Sequence, residues 1–149
     1  MRKHVLSLFV IILTLTGFPL FQSCGTARRT MAVKADVETL SERLWTFSQT
    51  HPDGFTVDVR TMAEPTEGIS VAYAETQNSF SRESLLKVVS HALTHDGYVG
   101  GWKEDASGLY YFDSVRLFPE DSLRAALAFA RENHQHAVFV LSTGEEIQL

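Results

Sequence analysis

The sequence predicts an α+β domain, a mostly antiparallel sheet with helices packed on it, in the order α-ββ-α-ββ-α-ββ. Three observations predict it. Apolar residues recur at helical spacings of three and four in three separate stretches. Each of these stretches is followed by two short runs of strand character. The connections between them are short and rich in Gly, Pro, Asp and Ser. With 149 residues, 44% hydrophobic and 21% charged, the chain has room for one ordinary globular domain and an appendage.

In chain order, Val33, Val37, Leu40, Leu44 and Phe47 share one face of a first helix, which His51-Pro52-Asp53-Gly54 ends with turn chemistry. Phe55, Val57 and Val59 alternate with Thr56, Asp58 and Arg60; Ile69, Val71 and Tyr73 alternate with Ser70, Ala72 and Ala74; and Pro65 interrupts the segment between them. These two runs read as a hairpin with a long loop. Ser81 is placed to cap a second helix, with Phe80 and Leu85 as a hydrophobic staple. Leu85, Val88, Val89, Ala92 and Leu93 form its inner face, and Gly97 suits a left-handed residue just past its end.

The central hairpin follows: Tyr98 to Lys103 and Leu109 to Phe118 flank Glu104-Asp105-Ala106-Ser107-Gly108. Pro119, Glu120 and Asp121 suit the start of a third helix, which packs through Leu123, Ala126, Leu127 and Ala130. Ala137 to Leu141 is a continuous apolar run, expected of a strand covered on both faces or set mid-sheet. Thr143-Gly144 turns the chain, and Ile147 and Leu149 add an edge strand.

The amino terminus has a different character. Met1-Arg2-Lys3-His4 is basic, and Val5 to Leu20 is apolar but interrupted by Gly17 and Pro19. That run is shorter than the roughly 20 residues a spanning helix requires, so it reads as a removable signal. It closes at Phe21-Gln22-Ser23-Cys24, and Cys24 is the only cysteine, which rules out a disulfide within the chain. Basic start, apolar core and a small residue before a cysteine resemble a bacterial lipoprotein precursor. Such signals usually carry Leu and a small residue where this chain has Phe21 and Gln22. The resemblance implies a signal peptide over 1–23, lipidation of Cys24, a flexible tether over 24–34 and a single domain over 35–149. The alternative is an ordinary secretory signal that leaves Cys24 as a free thiol. Because Gly25 rather than Asp follows the cysteine, the resemblance implies the periplasm-facing leaflet of an outer membrane, with the membrane as a partner through the lipid.

The formal net charge is −5, and loss of Arg2 and Lys3 with the signal makes it more negative. An acidic surface repels phosphate backbones, which argues against nucleic acid as a partner.

Candidate chemistry is sparse. His91 and His95 lie four apart on one helix face, the spacing two imidazoles need to grip a metal, with Asp96, His134 and His136 as possible further ligands. Ala92 stands where a zinc protease has its general base, and exposed, solvated histidines are the simpler reading. Asp58 and Asp113 are strand carboxylates, and the Tyr110-Tyr111-Phe112 run before Asp113 would raise its pKa. Gly100, Gly101, Trp102, Tyr111 and Asp113 could line a ligand groove, although glycines in a strand more often mark a bulge or bend.

No nucleophile elbow, phosphate loop or dinucleotide fingerprint is present in the sequence. Segments from Gly100 to Asp113 and from Asn133 to Ile147 resemble small uncharacterised α+β modules of bacterial and phage accessory proteins, a resemblance that brings no activity. The expected function is that of a membrane-anchored envelope lipoprotein whose domain binds a protein, peptide or envelope component without catalysis and without a cofactor. The alternatives are a metal-dependent envelope hydrolase using His91 and His95, or an accessory factor of a mobile element.

Overall fold

The computed structural model describes residues 23–104 and 106–149. Its elements run α1 (Ser23–Ser48), β1 (Phe55–Asp58), β2 (Ile69–Ala72), α2 (Arg82–Thr94), β3 (Tyr98–Lys103), β4 (Tyr110–Phe118), α3 (Leu123–Glu132), β5 (Ala137–Val140) and β6 (Glu145–Gln148). Short 3-10 turns at Ala74–Thr76 and Glu120–Ser122 link β2 to α2 and β4 to α3. The fold is α+β with a six-stranded antiparallel sheet, as expected.

The strand order is β1-β3-β4-β2-β5-β6. The hairpins β3–β4 and β5–β6 form as the turn signals predict, with Gly108 and Gly144 at φ +70 in their loops. The expected β1–β2 hairpin does not form. Asp58 N donates to Ala63 O at 2.9 Å and Met62 N to Asp58 O at 2.8 Å, so a local turn occupies the outer edge of β1 at Asp58. The chain then crosses the sheet, and β2 pairs with β4 and β5. Alternation specifies which side chains share a face, but it does not choose a strand's partner.

The ladder registers put two apolar clusters on one face of the sheet. Phe55, Val57, Val99 and Phe112 pack with Leu40, Leu44, Leu85, Val88, Val89 and Ala92 from α1 and α2. Ile69, Val71 and Val138 pack with Ala126 and Ala130 of α3, whose small side chains allow close approach. Thus all three helices cover the same face. The continuous apolar run in β5 is not covered on both sides: Val138 is buried, whereas Phe139, pointing the other way, is exposed.

Residues 24–34, expected as a tether, have helical backbone continuous with α1. Arg28, Arg29, Met31, Ala32 and Lys34 are good helix formers, and no proline interrupts them. Met31 is 73% and Val33 57% exposed, so neither is stabilised there by burial. Val33 therefore does not belong to the packing stripe, which starts at Val37 and becomes buried at Leu40. The expected signal over 1–23 lies, but for Ser23, outside the described residues. Among those described, no helix is long and apolar enough to cross a membrane.

Helix α2 is capped as predicted. The Ser81 hydroxyl accepts from Ser84 N at 3.1 Å, and Ser84 Oγ accepts from Ser81 N at 2.9 Å. Leu85 is buried, but Phe80, its expected staple partner, stays half exposed and meets the Tyr111 ring edge-on. The helix ends at cap residue His95, and Gly97, at φ +82, donates its N–H to Ala92 O at 2.9 Å two residues further on.

Candidate functional site

Among the described residues no helix lies over the face opposite α1, α2 and α3, and most of the predicted groove lies there. Trp102 pairs directly with Tyr111 in the β3–β4 ladder, and Gly100 with Asp113. Strand periodicity puts these four residues on the uncovered face. Gly101 belongs to the other face: a Cβ there would lie 2.6 Å from Phe55 Cε1 and 2.8 Å from Tyr110 Cε1. The adjacent glycines therefore do different jobs. Gly101 makes room for a core aromatic stack, and Gly100 leaves the outer face low beside Asp113.

The aromatic rings form a row across neighbouring segments. Trp102 stacks on Tyr111 with centroids 5.0 Å apart and planes 16° apart, and Phe80 meets Tyr111 at 5.8 Å. Phe80 was not legible as a member of this row. It is carried there by the segment after β2, which follows the edge of β4: Tyr73 N donates to Ser114 O at 2.9 Å and Phe112 N to Ser79 O at 2.8 Å. Trp102 is 48% exposed and Phe80 46%, so both rings offer surface to a partner.

Asp113 stands one position further along the same face, half buried. Burial is the larger influence on its carboxyl and raises its pKa from the ordinary 3.8 to about 6; the Trp102 side-chain hydrogen bond opposes that rise. Asp113 is the diagonal cross-strand neighbour of Trp102, within reach of its side chain. Beyond Asp113 the sheet coils inward. Thr56 Oγ1 and Ser70 Oγ approach to 3.5 Å although β3 and β4 lie between their strands, and Val115 on β4 is buried. The outer face is thus a trough, pinched at one end and open at the aromatic end.

The second carboxylate has a structural role. Asp58 Oδ1 accepts from Arg60 N and Thr61 N, both at 2.9 Å, in the turn after β1. The Thr61 backbone bond leads in holding its pKa below the ordinary carboxylate value.

No family model, curated protein or solved structure matches the chain. What the trough can do therefore follows from its own residues.

The histidine pair occupies a different place, at the end of α2. The His91 and His95 rings stack in parallel, 3.8 Å apart with planes at 7°. His95 Nδ1 lies 2.8 Å from His91 O, within its own helix. Tyr73 meets His91 at 4.9 Å and Phe129 at 5.1 Å, and its hydroxyl donates to Asp96. That carboxylate also faces Arg116 at 3.9 Å, while the guanidinium lies 4.9 Å from the Phe118 ring centroid. Asp96 thus joins the turn after α2 to the end of β2 and to β4.

His91 is half buried rather than solvated, and its Nδ1 has no hydrogen-bond partner among the described residues. Burial, then the neighbouring His95, holds its pKa below the ordinary 6.5. Burial also leads in raising the Tyr73 hydroxyl to about 12, with Asp96 adding to it. Among the described residues no three His, Cys, Asp or Glu side chains gather to hold a metal, and His134 and His136 do not join the pair. The arrangement is an aromatic and ionic clamp.

Proposed function

We propose that this chain is a lipid-anchored envelope protein whose domain binds a protein or peptide on the uncovered face of its sheet, without turning it over. The observation that carries the reading is the Trp102–Tyr111 stack, half exposed beside the half-buried Asp113 on a face that no helix of the described residues covers. Aromatic rings with one apolar face and a polar edge are the side chains that supply most binding energy at protein interfaces. Attachment through Cys24 to the periplasm-facing leaflet of an outer membrane is the part of the reading that rests on the resemblance to lipoprotein precursors.

Two experiments test the two halves. A photo-crosslinking residue at position 102, compared in intact cells with one at exposed Lys87 on α2, reads the binding face. A discrete adduct from 102 and none from 87 supports it; identical patterns from both positions remove it. Metabolic labelling with a fatty acid, in the parent and Cys24→Ser, reads the anchor. Label that persists in the variant removes the lipidated cysteine.

A further inference from the structure

We propose that the Trp102–Tyr111–Asp113 site takes the guanidinium of an arginine presented by a peptide or partner protein, laid over the outer face of the Trp102 ring with its N–H groups on the Asp113 carboxylate. This deepens the binding reading above and rests on it.

The first argument is a missing counter-charge. Asp113 is a half-buried carboxylate whose electrostatics comprise burial and the Trp102 hydrogen bond, and no cation among the described residues pairs with it. Arg116, the basic side chain of β4, has the opposite parity, so it lies on the helix-covered face beside Asp96. A guest cation would supply what the chain does not, and its field would draw Asp113 back towards its ionised form.

The second argument is geometric. Asp113 is the diagonal cross-strand neighbour of Trp102 on the same face, since Trp102 pairs with Tyr111 and Gly100 with Asp113. A planar cation on the free face of that ring is therefore within reach of the carboxylate oxygens. The other face of Trp102 is already taken by Tyr111, which holds the indole in place. Tyr111 is itself held by Phe80, so the platform is organised before a ligand arrives. Arginine suits such a platform better than lysine, because guanidinium stacks on aromatic faces and donates to a carboxylate through two parallel N–H groups.

The third argument chooses a tethered cation over a free amine. The aromatic end of the trough is open, with Trp102 48% and Phe80 46% exposed. A small amine there would keep most of its water and gain little. An arginine within a peptide brings further contacts at this open end, where Phe80 and Tyr111 extend the aromatic surface beside Trp102. The net charge of −5 favours the approach of a basic partner from a distance.

The test is an NMR titration of the full chain, in detergent micelles, following the Trp102 indole N–H. Four probes are used: a Gly-Arg-Gly amide, the same peptide with neutral citrulline, free methylguanidinium and N-acetylglucosamine. The expected result is that the arginine peptide shifts the Trp102 signal and binds at least tenfold more tightly than the citrulline peptide. Its affinity should fall about tenfold from pH 7 to pH 5 as Asp113 takes up a proton. Asp113→Asn should weaken it similarly and remove the pH dependence, while circular dichroism shows the variant folded.

Equal binding of the citrulline peptide or the sugar overturns the arginine assignment and leaves the binding face in place. Equal binding of methylguanidinium overturns the tethered ligand. If no probe moves Trp102, the inference is wrong. If, in addition, the cellular adduct at position 102 is absent, the binding face is wrong with it.

Discussion

A Cβ on Gly101 would stand 2.6 Å from Cε1 of Phe55, closer than side chains pack. Phe55 is held on both flanks, edge-on by Phe47 at 5.2 Å and stacked on Tyr110 at 6.1 Å. Tyr110 cannot swing away freely, because its hydroxyl donates to His51 O at 2.8 Å. Gly101→Ala should therefore overpack the core and cost roughly 1–3 kcal/mol. At Gly100 the one tight contact of the new methyl would be Val115 Cγ1, at 3.1 Å, with Phe55 O at 3.8 Å and Asp113 O at 4.0 Å in ordinary contact, and lower unfolded-state entropy offsets a small adjustment. Urea unfolding of the two variants should separate them clearly; a Gly100→Ala variant as unstable as Gly101→Ala would refute the assignment of the two faces.

The same pair marks how far the sequence could be read. Gly100, Trp102, Tyr111 and Asp113 were legible as neighbours because a hairpin with a short loop fixes its own register and period two does the rest. Parity alone also separates Gly101 from them. The placement of Phe80 was not legible, since local capping rules pair it with Leu85 and only the course of the chain along β4 brings it to Tyr111. The position of β1 at one edge was not legible either: an alternating run records its buried face and not its neighbour. The Tyr73–Asp96–Arg116 clamp joins three elements through contacts distant in sequence, which no local pattern announces.

Ser81→Ala removes the acceptor for Ser84 N, and Ser84→Ala removes the return bond to Ser81 N. Either change should lower stability by about 1 kcal/mol. The double variant should cost less than the sum, because each serine orients the other. Strict additivity in chemical denaturation would show that the two bonds do not act as a reciprocal cap.

Asp113 should make the fold less stable as pH rises. Its folded pKa, about 6, lies above the ordinary 3.8, so the folded chain holds the proton more tightly than the unfolded chain. The associated stability is fully present below pH 3.8 and is lost as pH rises through 6. Asp113→Asn can keep the acceptor for Trp102 and removes the charge. It should raise stability by roughly 1–3 kcal/mol at pH 7.5 and have little effect near pH 4. Unfolding free energies at the two pH values check this, and a variant less stable than the parent at pH 7.5 would contradict it.

His91 acts in the opposite sense. Burial and the stacked His95 lower its folded pKa below the ordinary 6.5, with Lys87 adding to the effect and Glu75 opposing it. The unfolded chain therefore binds the proton more readily, and the stability that His91 contributes, full above pH 6.5, declines as pH falls below that value. The Asp113 effect runs the other way over part of this range, so the Asp113→Asn chain is the proper background. In it, the melting temperature should fall from pH 7.5 to pH 5.5, and adding His91→Phe should flatten that fall. A phenyl ring can keep the aromatic contact with Tyr73 and removes a buried Nδ1 without a partner among the described residues, so this second change should cost little at pH 7.5. A pH dependence unchanged by His91→Phe would show that His91 is not the titrating group.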